Sequence, residues 1–264
     1  MSSDGRPVLS YYDIADGAMA FSTQRGAASD ADAYSDFNIN EFCGDSPTHV
    51  ARCREALAGE IGVPADSIVV PHQVHGTEAC VINSGFLTMP AAERRMLTEG
   101  ADAVMTDVRG VCIGVSTADC IPVLLYDEEH HAACAIHAGW RGTLQRITHK
   151  AVMQMGMVYG TRPGRLRAVV GPGISLDNFE VGDEVYEAFR QDGFDMARIA
   201  RRMDKWHIDL PMANRLALEH DGVEPHNIAM SGVCTYDNAD RYFSARRLGV
   251  NSGRIYTAIC MRQQ

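Results

Sequence analysis

Basic residues are scarce in this chain of 264 residues: 24 lysines and arginines stand against 34 aspartates and glutamates, a formal net charge of -10. Steering toward a phosphate backbone needs a basic surface, so nucleic acid is not an expected partner. Long apolar runs are lacking too. No stretch of about 18 apolar residues occurs, and the first residues, Met1 to Pro7, hold no apolar run behind a basic segment. Neither a membrane span nor export is expected, and the chain reads as cytoplasmic. The eight cysteines never stand in C-x-x-C spacing and are too sparse for a disulfide scaffold. No internal repeat is present. The 46% apolar content is enough for one full core, so a single domain is expected.

What is there alternates between strand-like and helix-like segments. Residues 1–36 read as an N-terminal segment that is partly loop, the Ala/Ser/Asp-rich stretch from Gly26 to Asp36 especially, and residues 37–264 as the single domain. Ser46-Pro47 opens a helix, with Val50, Leu57 and Ile61 on one face and Gly62-Val63-Pro64 as its stop. Short β-rich runs follow: Ser67 to Val70, Ala79 to Ile82, Asp102 to Met105, Val111 to Val115, Ile121 to Tyr126 and Ala132 to Ile136. Leu144, Ile147, Ala151, Met155 and Val158 then predict one amphipathic helix over Thr143 to Tyr159, capped by Gly160. Beyond it come strand Leu166 to Val170, helices near Asp183 to Arg190 and Pro211 to His220, strand Asn227 to Met230, and a closing strand Arg254 to Met261. The class is mixed α/β, with both halves contributing strands to the core.

Three strand ends carry unusual polar residues: Pro71 to Thr77, Ser116 to Cys120, and His137 to Gly142. Strand ends hold side chains in fixed relative positions, which is where ligand sites gather in α/β proteins. Two imidazoles and a thiolate from His75, Cys120 and His137 suit zinc, and three ligands leave a fourth tetrahedral position open. His72 competes with His75; Gly76 allows a tight turn and favours His75. The bland alternative is a core cysteine and two structural histidines. Cys43, Cys53, Cys80, Cys112, Cys134, Cys234 and Cys260 lie in or beside apolar segments and read as core. His130 and His131 fall in a solvated turn; His49, His149, His220 and His226 read as surface groups without polar company. Arg141 offers a fork for phosphate or is a surface arginine in a turn. Gly171-Pro172-Gly173 is a tight strand-end turn where a ligand can approach backbone, and Glu180 is either an acid/base group or a surface charge.

Gln73-Val74-His75-Gly76-Thr77, Ala101-Asp102-Ala103, Thr117-Ala118-Asp119-Cys120-Ile121-Pro122-Val123 and His137-Ala138-Gly139-Trp140-Arg141-Gly142 resemble, in the same order, the laccase-domain family. That family is also called multicopper polyphenol oxidase-like, purine nucleoside phosphorylase, or peptidoglycan editing factor. The likeness runs from Phe37-Asn38-Ile39 through Gly171-Pro172 and Glu180-Val181-Gly182 to Gly253-Arg254, leaving the segment before about Phe37 outside it. It implies a layered α/β/β/α sandwich with mixed sheets, and places the family's metal-binding and catalytic residues on His75, Cys120 and His137. Arg141, Asn38 and Gly171 become the expected substrate- and phosphate-binding residues. The implied reaction is phosphorolysis of adenosine, inosine and methylthioadenosine, with some adenosine deamination, by a monomer or homodimer acting on purine nucleosides and phosphate. Copper is associated with the family, but copper oxidases group histidines as H-x-H, and this chain has no such pair, so zinc is the expected metal. Asn178-Phe179, Phe42-Cys43 and Ala245 depart from the family's pattern and bear on substrate preference. Two other readings stay open: a cysteine hydrolase with Cys120 as nucleophile and His137 as its base, and a non-catalytic zinc-binding module in cell-wall precursor editing.

Overall fold

Between Ala103 and Ala138 the chain is apolar in runs rather than in alternation, as strands covered on both faces require. The computed structural model describes residues 6–27 and 33–262, so part of the Gly26 to Asp36 loop, residues 28–32, lies outside the described residues. In chain order the strands are β1 (Leu9–Tyr12), β2 (Ala18–Thr23), β3 (Ile68–Val69), β4 (Ala79–Ile82), β5 (Ala103–Thr106), β6 (Cys112–Thr117) and β7 (Ile121–Asp127). They continue with β8 (Ala132–Ala138), β9 (Leu166–Val170), β10 (Glu180–Val181), β11 (Ala200–Arg202), β12 (Trp206–Ile208), β13 (Ile228–Met230) and β14 (Ile255–Met261). The helices are α1 (Pro47–Ile61), α2 (Ala91–Thr98), α3 (Trp140–Leu144), α4 (Ile147–Tyr159), α5 (Asp183–Gln191), α6 (Met196–Ile199), α7 (Leu210–His220) and α8 (Ala245–Leu248).

Two large mixed sheets stack face to face. One has the order β1-β2-β14-β6-β3 and the other β13-β9-β7-β8-β5-β4, with β10-β12-β11 as a small third sheet. Ile113, Val115 and Ile259 from the first sheet meet Leu124, Tyr126 and Ala135 from the second between the layers. Outside the first sheet, Cys53, Leu57 and Ile61 of α1 cover Phe21, Cys112 and Tyr256. Outside the second, Ile147, Ala151 and Met155 of α4 and Ala213 and Leu218 of α7 cover Val123, Leu125 and Cys134. This is the expected α/β/β/α layering.

Three differences from the sequence reading have physical causes. Residues 9–23 are not peripheral: β2 pairs with both β1 and the closing strand β14, so the first sheet begins at Leu9. The single helix expected over Thr143 to Tyr159 is two, α3 and α4, because Arg146 takes a left-handed backbone (φ 65°). Its guanidinium lies 3.6 Å from the centroid of the Phe194 ring and donates to the Asp192 carboxylate at 3.0 Å, tertiary contacts that outweigh helix propensity. Finally, Cys43 and Cys80 are only half-buried; the other cysteines assigned to the core are buried there.

Register places the functional strand ends together. β7 and β8 pair antiparallel with Ile121 opposite Ala138, which brings Cys120 beside Gly139 at the open end of the pair. β5 and β8 pair with Ala103 opposite Ile136, which sets Asp102 against His137. Among the described residues no helix is long and apolar enough to cross a membrane.

Candidate metal centre

His75 sits in the loop between β3 and β4, in a left-handed conformation (φ 62°) uncommon for a residue with a side chain. Two groups hold it there. The buried Asp102 carboxylate accepts the backbone N–H groups of Val74, His75 and Gly76 at 3.1, 2.9 and 2.7 Å. The Gln73 side-chain amide clamps the end of β6 from both sides, donating to Ser116 O at 2.9 Å and accepting from Ser116 N at 2.7 Å. His72 is turned away: its Nδ1 pairs with Glu99 at 2.7 Å and its ring stacks on Phe42. The histidine preferred from the sequence is the one in the site, although the positive φ belongs to His75 itself and not to Gly76.

Cys120 follows Asp119, whose φ of 88° makes the tight corner between β6 and β7. The Asp119 carboxylate accepts Thr235 Oγ1 at 2.7 Å and the backbone N–H of Arg246 at 2.7 Å, so the corner is anchored to the second half of the chain. His137 comes from inside β8 and is 3% exposed. Its Nδ1 meets Asp102 Oδ1 at 2.7 Å, which commits that nitrogen and leaves Nε2 for the centre. Gly139 completes the packing, because a Cβ there would lie 3.0 Å from Cys120 Sγ and 3.1 Å from His75 Cδ2.

One donor atom from each of His75, Cys120 and His137 lies within 4.8 Å of the others, and the two imidazole rings meet edge to face at 4.8 Å between centroids. Burial alone would push the Cys120 thiol up, yet the charge of His137 and hydrogen bonds from His137 and His75 bring it down to about 6. Burial likewise opposes charge on His137, but the Cys120 sulfur and the Asp102 carboxylate outweigh it and raise the imidazole to about 9. Asp102 itself is held below the usual carboxylate range: burial opposes this, and His137 with the backbone N–H groups of Gly76 and Val74 overcomes it. The pair is therefore thiolate and imidazolium at neutral pH. Two imidazoles and a thiolate, with a carboxylate behind one imidazole, form a donor set that fits a soft or borderline divalent metal.

The other expected site residues fare differently. Arg141, two residues past Gly139, is exposed and packs its guanidinium over the Trp140 ring at 4.3 Å. Asn38 is fully buried and already engaged: its Nδ2 donates to Asp45 at 2.8 Å and to Asn40 O, and its Oδ1 accepts from the backbone of Asn40 and Arg254. It organises the loop before α1 and offers no open polar atom to a ligand. Gly171 is buried too, and its N–H donates to Pro122 O at 2.8 Å. A Cβ there would lie 2.8 Å from Pro122 Cγ, so the glycine is needed for packing behind the site. Glu180 pairs with Lys205 at 2.8 Å on the surface. His49 and His149 are not without polar company: His49 bridges Asp45 and Cys53, and His149 pairs with Asp221 at 2.6 Å. Sequence reasoning assigned no role to Asp102, Gln73 or Asp119. For Asp102 a signal exists: it is a carboxylate directly before the apolar run Ala103-Val104-Met105 of β5.

A family model described as multi-copper polyphenol oxidoreductase laccase matches residues 18–262, a span that begins well before Phe37. A purine nucleoside phosphorylase of Bacteroides thetaiotaomicron is 41% identical over 244 residues, covering 91% of this chain and 90% of that protein. Adenosine deaminase RL5, from an unknown prokaryotic organism, is 41% identical over 254 residues, covering 95% of this chain and 97% of the relative. The crystal structure of YlmD from Geobacillus stearothermophilus superposes with a TM-score of 0.84 at 26% identity, over 94% of this chain and 93% of that one.

Proposed function

The chain belongs to the multi-copper polyphenol oxidoreductase laccase family, and within it we propose a cytoplasmic purine nucleoside phosphorylase that also deaminates adenosine. The substrates are adenosine, inosine and methylthioadenosine, each split by phosphate into base and sugar 1-phosphate. The observation that carries this reading is the thiolate–imidazolium pair of half-buried Cys120 and buried His137 beside the exposed His75. The names of the two relatives at 41% identity support it.

His137 holds a proton at neutral pH and Asp102 keeps it oriented, which makes it the acid for a departing purine. As the glycosidic C1'–N9 bond breaks, the base takes that proton. A phosphate oxygen, positioned by Arg141, forms the new bond to C1'. The exposed His75 meets substrate from the solvent side. Zinc held by His75, Cys120 and His137 would supply a Lewis acid for the deamination chemistry. His137 and Cys120 would hold either that metal or their shared proton, so the acid role of His137 in phosphorolysis belongs to the metal-free site. Replacing Cys120 with Ala lowers hypoxanthine release from inosine by about a hundredfold or more, and wild-type release requires phosphate. Undiminished release in that variant contradicts the assignment.

One observation favours a second reading. Asp102, His137 and Cys120 follow one another as carboxylate, imidazole and thiolate, the order used by cysteine hydrolases. A covalent acyl group trapped on Cys120, with turnover independent of phosphate, selects that reading over phosphorolysis.

A further inference from the structure

The free edge of β3 faces a cavity of about 420 Å³ that none of the three metal-centre residues lines. Three arginines, Arg54, Arg94 and Arg95, border it beside two carboxylates, Glu41 and Asp66, so its lining is net positive in an acidic chain. Arg54, half-buried on α1, donates Nε to Ala65 O at 3.1 Å and Nη2 to Ile68 O. Both acceptors are neutral carbonyls, and among the described residues no carboxylate pairs with this guanidinium. Burying a cation without a counter-charge is costly, so the position calls for an anion from outside. Arg94 is largely buried, lies over the Phe86 ring, donates Nη1 to Asp66 O at 3.1 Å, and has an Nε with no partner; its Nη2 is 3.9 Å from Asp66 Oδ2, beyond hydrogen-bond reach. Arg95 pairs with Glu41 at 2.5 Å. The Asp66 side chain is 86% exposed and that of Glu41 40% exposed, and pairs of that kind hold their cations weakly. The first turn of α2, Ala91 and Ala92, lines the same cavity, and its amide dipoles add to the positive field. The remaining wall is apolar and aromatic, with Phe42 and Phe86 on it.

We propose that this groove is a second ligand site, for a small phosphorylated molecule with a planar apolar ring. The phosphate lies against Arg54, Arg94 and Arg95, with a bidentate fork available from Nε and Nη2 of Arg94, and the ring lies against Phe42 and Phe86. The site is independent of the metal-centre reading.

Isothermal titration of the full-length protein in phosphate-free buffer, with phenyl phosphate, which carries no purine for the metal centre, and with inorganic pyrophosphate as probes, tests this. The expected result is one monophosphate per chain, weakened about tenfold or more by Arg94→Glu and by Arg95→Glu, and unchanged by Arg141→Ala. Pyrophosphate, which has no ring, binds the same site more weakly. Arg95 is exposed and its reversal leaves the fold intact, as a melting curve will verify, so the test survives if Arg94→Glu does not fold. No binding, binding indifferent to Arg95→Glu, or binding lost only in Arg141→Ala overturns the proposal; the last outcome moves the anion to the metal centre. Capture of an extended peptide along β3 in place of phenyl phosphate overturns it as well.

Discussion

At neutral pH Cys120 is an anion because two imidazoles face it, and that single fact is the most accessible to measurement. Its thiol is depressed in the folded protein, so the reactive thiolate is present above about pH 6 and is lost as pH falls through that value. Alkylation of the metal-free protein by iodoacetamide, read at Cys120 by mass spectrometry, should follow a midpoint near 6. The ordinary thiol value of 9.0 would contradict the pairing with His137. Asp102→Asn removes a charge that raises His137, so the imidazole gives up its proton more readily and the Cys120 midpoint moves upward. An unmoved midpoint would remove Asp102 from the account. Gly139→Ala tests the geometry instead: its methyl would sit 3.0 Å from Sγ and 3.1 Å from the His75 ring, so metal affinity should fall about tenfold or more while the melting curve changes little. Of these residues, His75, Cys120 and His137 were legible from their motifs. Asp102 was not, because what makes it functional is pairing register with His137, 35 positions away.

At the level of elements, the site depends on how three strand ends are tied to one another. Gln73 links the His75 loop to β6 by two opposed hydrogen bonds, and Gln73→Glu replaces a donor with an oxygen facing Ser116 O. We expect that variant to lose zinc affinity by about 10- to 100-fold while keeping the low Cys120 midpoint, since His137 and Asp102 are untouched. Equal loss of both would show that the loop and the β7–β8 end are not separable. Most elements followed from apolar periodicity and from Pro and Gly punctuation: α1 runs from Pro47 to the left-handed cap at Gly62 as expected. The break between α3 and α4 did not, because nothing near Arg146 announces Phe194 and Asp192 as partners. The strands β10, β11 and β12 also escaped, being two or three residues long, too short for alternation to register.

For the whole molecule, two stacked sheets between helical layers leave one end where β6, β7 and β8 present their termini, and Cys120 and His137 meet there with His75 from the loop between β3 and β4. The layering was legible because strands such as β7 are apolar on both faces, which only a sandwiched sheet explains. The place of the N-terminal strands was not, since β2 finds its partner β14 at the opposite end of the sequence. Close packing makes the frame intolerant of added volume. Gly114→Ala would put a methyl 2.5 Å from Tyr256 and 2.7 Å from Ala258, and should lower unfolding free energy by about 1–3 kcal/mol in a denaturant titration without altering the metal site. The claim that governs the rest is that His75, Cys120 and His137 form one composite centre. Metal content per chain, measured on wild type and on the His75→Ala, Cys120→Ala and His137→Ala variants after equilibration with zinc, tests it most directly. The account predicts one zinc per wild-type chain and its loss in every variant; a full zinc retained in any one of the three would contradict it.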